Sequence, residues 1–225
     1  IYLLSENVGE RNAQHPVNVM VLCLLLGKIH GMEAKELRQL GLAALLHDLG
    51  KLALPTRMAH PQGDWTSRNR ALFESHVGES VALAEQMGLS SEVVTAIAQH
   101  HEMADGSGFP LRLLGEDMGR AGKLLALVNC YDGLCNPSVS TDALTPHEAL
   151  AQLFVQNKSN FDFLVLEDFI RMMGVYPPGS IVQLSDERYA LVVSVNAIRP
   201  LRPRVIVYDP KVPRKDAVAL HLEES

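Results

Sequence analysis

Cysteine is scarce in this 225-residue chain, and the three present, Cys23, Cys130 and Cys135, are too few and too scattered for a disulfide framework or a zinc ribbon. A reducing compartment fits that usage, so a cytoplasmic location is expected. Long hydrophobic runs are missing as well. The longest, residues 19–26, falls far short of the roughly 18 apolar residues that suggest a membrane span. No signal-peptide pattern opens the chain. Positive charge is not in excess either: the net charge is −6, which argues against nonspecific binding to DNA or RNA duplexes. A small anionic ligand stays allowed, because bound metal ions can outweigh the sign of the whole surface. Internal repeats, low-complexity tracts and charge blocks are also lacking. What remains is a globular balance of 47% hydrophobic and 20% charged residues, enough for one large domain or one domain with a small appendage. The chain opens at Ile1 without a methionine and inside an expected helix, so a longer protein with an upstream regulatory domain is expected.

Helical periodicity dominates up to about residue 175. A first helix is expected over residues 12–29, with Pro16 in its first turn and Val17, Met20, Val21, Leu24 and Leu25 as its buried face. Residues 34–49 read as a second, with Leu37, Leu40, Ala44 and Leu45 as its core stripe. Residues 52–64, with Pro55, Pro61 and Gly63, read as a loop over a site. Further helices are expected over 67–87, with a break near Ser75 or Gly78, from Ser90 or Ser91 to His101, and over 119–134, 146–156 and 161–173. After Tyr176-Pro177-Pro178-Gly179 the period becomes two-fold, and three short strands are expected over 180–184, 189–195 and 204–208. The expected fold is mainly α, a helical domain over residues 1–175 with a small β appendage over 176–225.

The chemistry centres on His47-Asp48-Leu49-Gly50-Lys51. Alone, this run also reads as a helix end with a surface Asp, a C-terminal Gly and a Lys favoured by the helix dipole. Other residues join it. His15, His47, Asp48, His76, His100, His101 and Asp132 are drawn from five helical segments, several of them at helix ends, and together would make an imidazole and carboxylate set suited to two metals. Mixed nitrogen and oxygen ligands fit iron, manganese, nickel or zinc better than magnesium. On a helix the rings of His100 and His101 diverge, so a tandem pair is wasteful unless two ligand positions need filling. His30, His60, His147 and His221 are set aside as core or surface residues. Two such metals can activate a water, and Lys51, one turn after His47, could pair with an anionic substrate oxygen in the same pocket.

The order His47-Asp48 with Gly50-Lys51, His76 with Gly78, His100-His101-Glu102, then Asp105-Gly106-Ser107-Gly108-Phe109-Pro110 and finally Asp132 resembles the HD-GYP branch of the HD metal-dependent phosphohydrolases, over most of residues 10–175. The resemblance implies an HD-type helical bundle binding two metals, usually iron or manganese, that opens cyclic di-GMP to linear pGpG or GMP as the output of a bacterial signalling protein. It implies that the seven residues above are metal ligands, that Asp48 bridges the metals, and that Lys51 contacts the scissile phosphate. The loop with Gly106, Gly108, Phe109 and Pro110 would shape the pocket and a partner surface.

Four positions depart from the family pattern. Phe109 stands where the name-giving motif has tyrosine, and Met103 where arginine is common. Arg11 stands where members with a third metal carry glutamate, so two metals are expected. The stretch 133–138 lacks the basic segment that helps the family bind dinucleotide phosphates, and Arg112, Arg120 and Lys123 are either substitutes or solvated surface charge. Two other functions therefore stay open: a weakly active or inactive metal-bearing module that binds partner proteins such as GGDEF domains, and a phosphohydrolase for another nucleotide.

Overall fold

A computed structural model of the chain describes residues 8–55, 65–137, 143–196, 199, 202–212 and 217–222, with side chains from residue 14 onward in the first helix. Seven helices come first: α1 Val8–Ile29, α2 Ala34–Leu46, α3 Ser67–Gln86, α4 Ser91–Ala98, α5 Arg120–Cys135, α6 Pro146–Val155 and α7 Phe163–Met173. Four strands follow, β1 Ile181–Gln183, β2 Tyr189–Ser194, β3 Arg204–Val207 and β4 Ala219–His221, in one antiparallel sheet whose order is the chain order.

Local signals set most boundaries. Thr145 caps α6 in a reciprocal pair with Glu148, with Pro146 inside the first turn, and the Asp162 carboxylate accepts the Leu164 and Val165 amides to start α7. Helix α5 is buried nearly all round, from Gly122 and Leu124 through Val128 to Tyr131 and Asp132, so it is the axis against which α1, α4, α6 and α7 pack. Leu26, Leu40, Ile97, Leu125, Leu153 and Phe169 join one core around it. The sheet has its own small core of Ala190, Val192 and Val205. It meets the helices across a cavity of about 640 Å³ between α1, α7 and the end of β2, whose polar end is Asn18 and Asp132.

Several expectations are corrected. Pro16 lies well inside α1, which starts four residues earlier than expected, so one carbonyl of the preceding turn lacks its helical amide. Val17 and Leu25 are exposed, and the core face of α1 is instead Val19, Leu22, Cys23 and Leu26. Helix α3 runs unbroken past Ser75 and Gly78. A fourth strand, only three residues long, lies beyond any reliable two-fold pattern. Of the expected loop 52–64, residues 52 and 53 finish a 3₁₀ turn, Leu49–Ala53, and residues 56–64, with His60 and Pro61, lie outside the described residues. The Arg11 side chain lies outside them too.

Candidate metal centre

Helix α2 stops at Leu46, three residues earlier than expected, and His47 closes it in a right-handed conformation. The chain then tightens into the 3₁₀ turn, which seats against α3. Gly50 makes this possible by having no side chain: a Cβ there would lie 2.0 Å from the His76 carbonyl oxygen and 2.6 Å from the Ser80 nitrogen. Its φ is not positive, so it is not a left-handed helix terminator; its amide donates to the Ser80 hydroxyl at 2.8 Å. That contact brings His47 and Asp48 up to His76. Helix α4 likewise ends at Ala98, and His100 and His101 lie beyond it in a turn. Their rings do not diverge as they would on a helix; the centroids are 4.3 Å apart.

Each of three buried histidines donates Nδ1–H to the carbonyl three residues before it: His47 to Ala44 at 2.8 Å, His76 to Phe73 at 2.5 Å and His100 to Ile97 at 2.6 Å. A carbonyl can only accept, so Nδ1 carries the proton and Nε2 presents a lone pair. The His15 Nδ1 lies 2.6 Å from Asp132 Oδ2, which fixes the same tautomer there. Asn18 and Asn136 donate to the other Asp132 oxygen at 3.2 and 3.0 Å.

The consequence is geometric. His15 Nε2 and His47 Nε2 face each other at 3.2 Å, and so do His76 Nε2 and His100 Nε2. With both lone pairs directed inward, neither contact is a hydrogen bond, and each pair could hold a cation between its atoms. Asp48 offers one oxygen to each pair. Its Oδ2 is 3.5 Å from both nitrogens of the first, and its Oδ1 is 3.5 and 3.6 Å from those of the second. His101 joins the second group, and its Nε2 and Asp48 Oδ1 are buried without a hydrogen-bond partner. Unpaired buried polar atoms are costly unless something binds them.

Protonation agrees with ligation. Burial pushes His47 down to about 3 and His76 down to about 4, and holds His101 well below the ordinary imidazole range, with repulsion from His100 adding to each. These rings are neutral at neutral pH, the form a metal requires. Burial alone would raise the Asp48 carboxyl, but His47 and Lys51 outweigh it and hold it well below the usual carboxylate range. Lys51 donates to Asp48 Oδ2 at 2.6 Å, so it does enter the same pocket.

Of the seven residues expected as ligands, six therefore converge directly, and Asp132 reaches the group through His15. Asn18 and Asn136 were not anticipated, although Asn18 lies one helical turn after His15 and Asn136 one after Asp132. Arg120 pairs with Glu36 and the His30 carbonyl, and Lys123 with Asp162 at 2.9 Å, so both belong to the helical surface; Arg112 is exposed. His30 is paired with Asp168 at 2.6 Å, and His147 donates to the Val175 carbonyl.

The family model described as "HD domain" matches residues 3–165. The chain belongs to the HD domain family. Its motif order places it in the HD-GYP branch. A cyclic di-GMP phosphodiesterase of Pseudomonas aeruginosa is 29% identical to this HD-domain chain over 200 residues, 88% of this chain and 48% of that protein. A 3'3'-cGAMP-specific phosphodiesterase of Vibrio cholerae is 28% identical over 74% of this chain and 33% of its own length. Among solved structures, an HDG"Y"P protein from Bdellovibrio bacteriovorus matches with a TM-score of 0.60 and 25% identity, over 70% of this chain and 50% of that one. The chain thus spans half or less of the length of these relatives. Among the described residues no helix is long and apolar enough to cross a membrane.

Proposed function

We propose that this HD domain is a binuclear phosphodiesterase that opens a cyclic dinucleotide, cyclic di-GMP first among them, to linear pGpG and GMP. One observation carries the reading: two inward-facing histidine pairs, each at one oxygen of the same buried carboxylate, Asp48. The names of the relatives support the substrate class. His15 and His47 would hold one ion and His76, His100 and His101 the other, with Asp48 between them and Asp132 at the His15 edge. Iron or manganese suits this donor set, with nickel and zinc also compatible. Such ions supply an activated water and polarise the phosphodiester oxygens. The chain does the rest. Lys51, which donates to Asp48, would turn its ammonium toward a phosphate oxygen, the imidazoles stay neutral and keep their Nε2 lone pairs available, and the loop with Gly106, Gly108, Phe109 and Pro110 would close one side. Residues 1–175 form the catalytic part and residues 176–225 an accessory sheet, working in the cytoplasm under an upstream regulatory domain.

A second reading has its own support. Arg120 and Lys123 are spent on ion pairs, and residues 133–137 bring no cation to the site, so phosphate binding is poorly provided for. A metal-bearing module that docks GGDEF-domain proteins, or a phosphohydrolase for another nucleotide, would fit that. The test is hydrolysis of cyclic di-GMP by anaerobically purified protein loaded with iron or manganese, beside an Asp48→Ala control, with metal content measured in both. Linear product from wild type alone supports the phosphodiesterase. Two bound metals without turnover on cyclic di-GMP or 3'3'-cGAMP would refute it in favour of the second reading.

A further inference from the structure

His101 differs from the other histidines of the centre. His47, His76 and His100 are each turned by a backbone carbonyl and His15 by Asp132, whereas among the described residues no hydrogen bond fixes the His101 ring. A ligating imidazole free to rotate loses the advantage that a hydrogen-bonded partner confers. Its place is taken by a ring. Phe109 stacks on His101 with centroids 4.5 Å apart and planes 21° from parallel, while Phe73 meets the same imidazole edge-on at 6.0 Å.

The loop that carries Phe109 is fastened close to the ligand. Phe109 N–H donates to the His101 carbonyl at 3.1 Å. Gly108 lies so close to the chain before the loop that a Cβ would sit 2.3 Å from Met103 N and 2.5 Å from Glu102 Cα. Glu102 is wholly buried and forms no salt bridge among the described residues. Its two carboxylate oxygens accept the amides of Leu111 at 2.6 Å and Leu113 at 2.9 Å. A carboxylate is placed in such a setting only where strong acceptors are needed for several donors.

We propose that Phe109 and Glu102 are positioning residues for His101: the aromatic face of Phe109 holds the imidazole plane, and the Glu102 carboxylate latches the loop that delivers that face. This rests on reading the cluster as a metal centre. It also accounts for phenylalanine where tyrosine is usual, since stacking uses the ring and not a hydroxyl.

The experiment is a Mn²⁺ titration of metal-stripped protein, followed by electron paramagnetic resonance, with Co²⁺ absorption reporting ligand geometry. Phe109→Leu weakens the second Mn²⁺ about 10- to 100-fold and leaves the first within about twofold. Phe109→Tyr restores wild-type binding, and Glu102→Gln follows Phe109→Leu. In a His101→Ala background Phe109→Leu adds less than about twofold, because the ligand it acts through is gone. Circular dichroism and urea unfolding confirm that the variants compared are folded. An equal loss from Phe109→Leu with and without His101 overturns the positioning role. Unchanged Mn²⁺ affinities in His101→Ala itself would overturn the metal reading of that half, and the proposal with it. Because the readout is binding, the result is independent of whether cyclic di-GMP is hydrolysed.

Discussion

Replacing Gly50 with alanine adds one methyl group, and the structure says where it goes. Its carbon would lie 2.0 Å from the His76 carbonyl oxygen and 2.6 Å from the Ser80 nitrogen, both backbone atoms of a continuous helix. Real contacts of this kind stop near 3.0 Å, so the 3₁₀ turn and α3 must part by about 1 Å. Overpacking of this size, with weakening of the buried Gly50 to Ser80 hydrogen bond, costs about 3 kcal/mol. In a protein of this length that is a fall in melting temperature of about 6–12 °C. The same displacement pulls Asp48 away from His76 Nε2, now 3.5 Å from its Oδ1, so metal affinity of that half should drop about 10- to 100-fold. The assay is thermal unfolding of the metal-free protein together with Mn²⁺ titration. Gly78→Ala is the control: it lies on the same helix, nothing stands within 4 Å of its Cβ, and it should be neutral or gain up to about 1 kcal/mol. A Gly50→Ala protein that melts within 2 °C or so of wild type and binds both ions equally well would refute the reasoning.

Three other outcomes follow from the site. On the proposed reading, in which its ammonium serves the phosphate and not an ion, Lys51→Ala should lower turnover about 10²- to 10³-fold while both metals stay bound; equal turnover would remove that role. In metal-free protein, His47 at about 3 and His76 at about 4 lie below the ordinary 6.5, so the unfolded chain takes up protons first as the pH falls. Stability is then complete above about pH 6.5 and is lost as the pH falls toward those values, on the order of 3 kcal/mol in all for His76 alone. A urea midpoint that stays flat from pH 7 to 5 contradicts this. Arg120→Ala and Lys123→Ala should leave the KM for cyclic di-GMP within about twofold, since both cations are engaged on the helical surface; a tenfold rise in KM from either would show that it reaches the substrate.

Much of the candidate site could be read in the chain because its residue types are chemically conspicuous: adjacent His47 and Asp48, tandem His100 and His101, and Lys51 one turn on. Their meeting is expected from those residue types together with the resemblance of their order to the HD-GYP pattern. The means of meeting is not. Gly50 reads as a helix stop, and only the approach of α3 shows that it is a clearance. Glu102 reads as part of a motif, and only the folded loop supplies the two amides that explain a buried carboxylate. Helices α2 and α4 end earlier than expected, because no Gly or Pro stands directly after Leu46 or Ala98 to mark a stop and tertiary contacts turn the backbone there. The two-fold pattern exposes β1 to β3, whereas β4, no longer than β1, follows a continuous apolar run over residues 217–220 that shows no alternation. For α1, the hydrophobic stripe was assigned to the wrong side at Val17 and Leu25 because the helix is apolar over much of its circumference.

His15 and Asp132 touch although 117 positions separate them, and that span sets the order in which the centre can come into being. Contacts of such sequence separation are slow to form, because the intervening chain must first be closed into a loop. As the polypeptide leaves the ribosome, His47 and Asp48 emerge long before their last partner, with their nitrogens and oxygens still in water. No nascent chain that ends before Asp132 can hold the complete set. The six directly converging residues have all been made by the time of His101, but His15 lacks the carboxylate that turns its ring until Asp132 follows. A complete centre, with Asp132 seated on His15, is thus a report that the helical chain has been made and folded through α5.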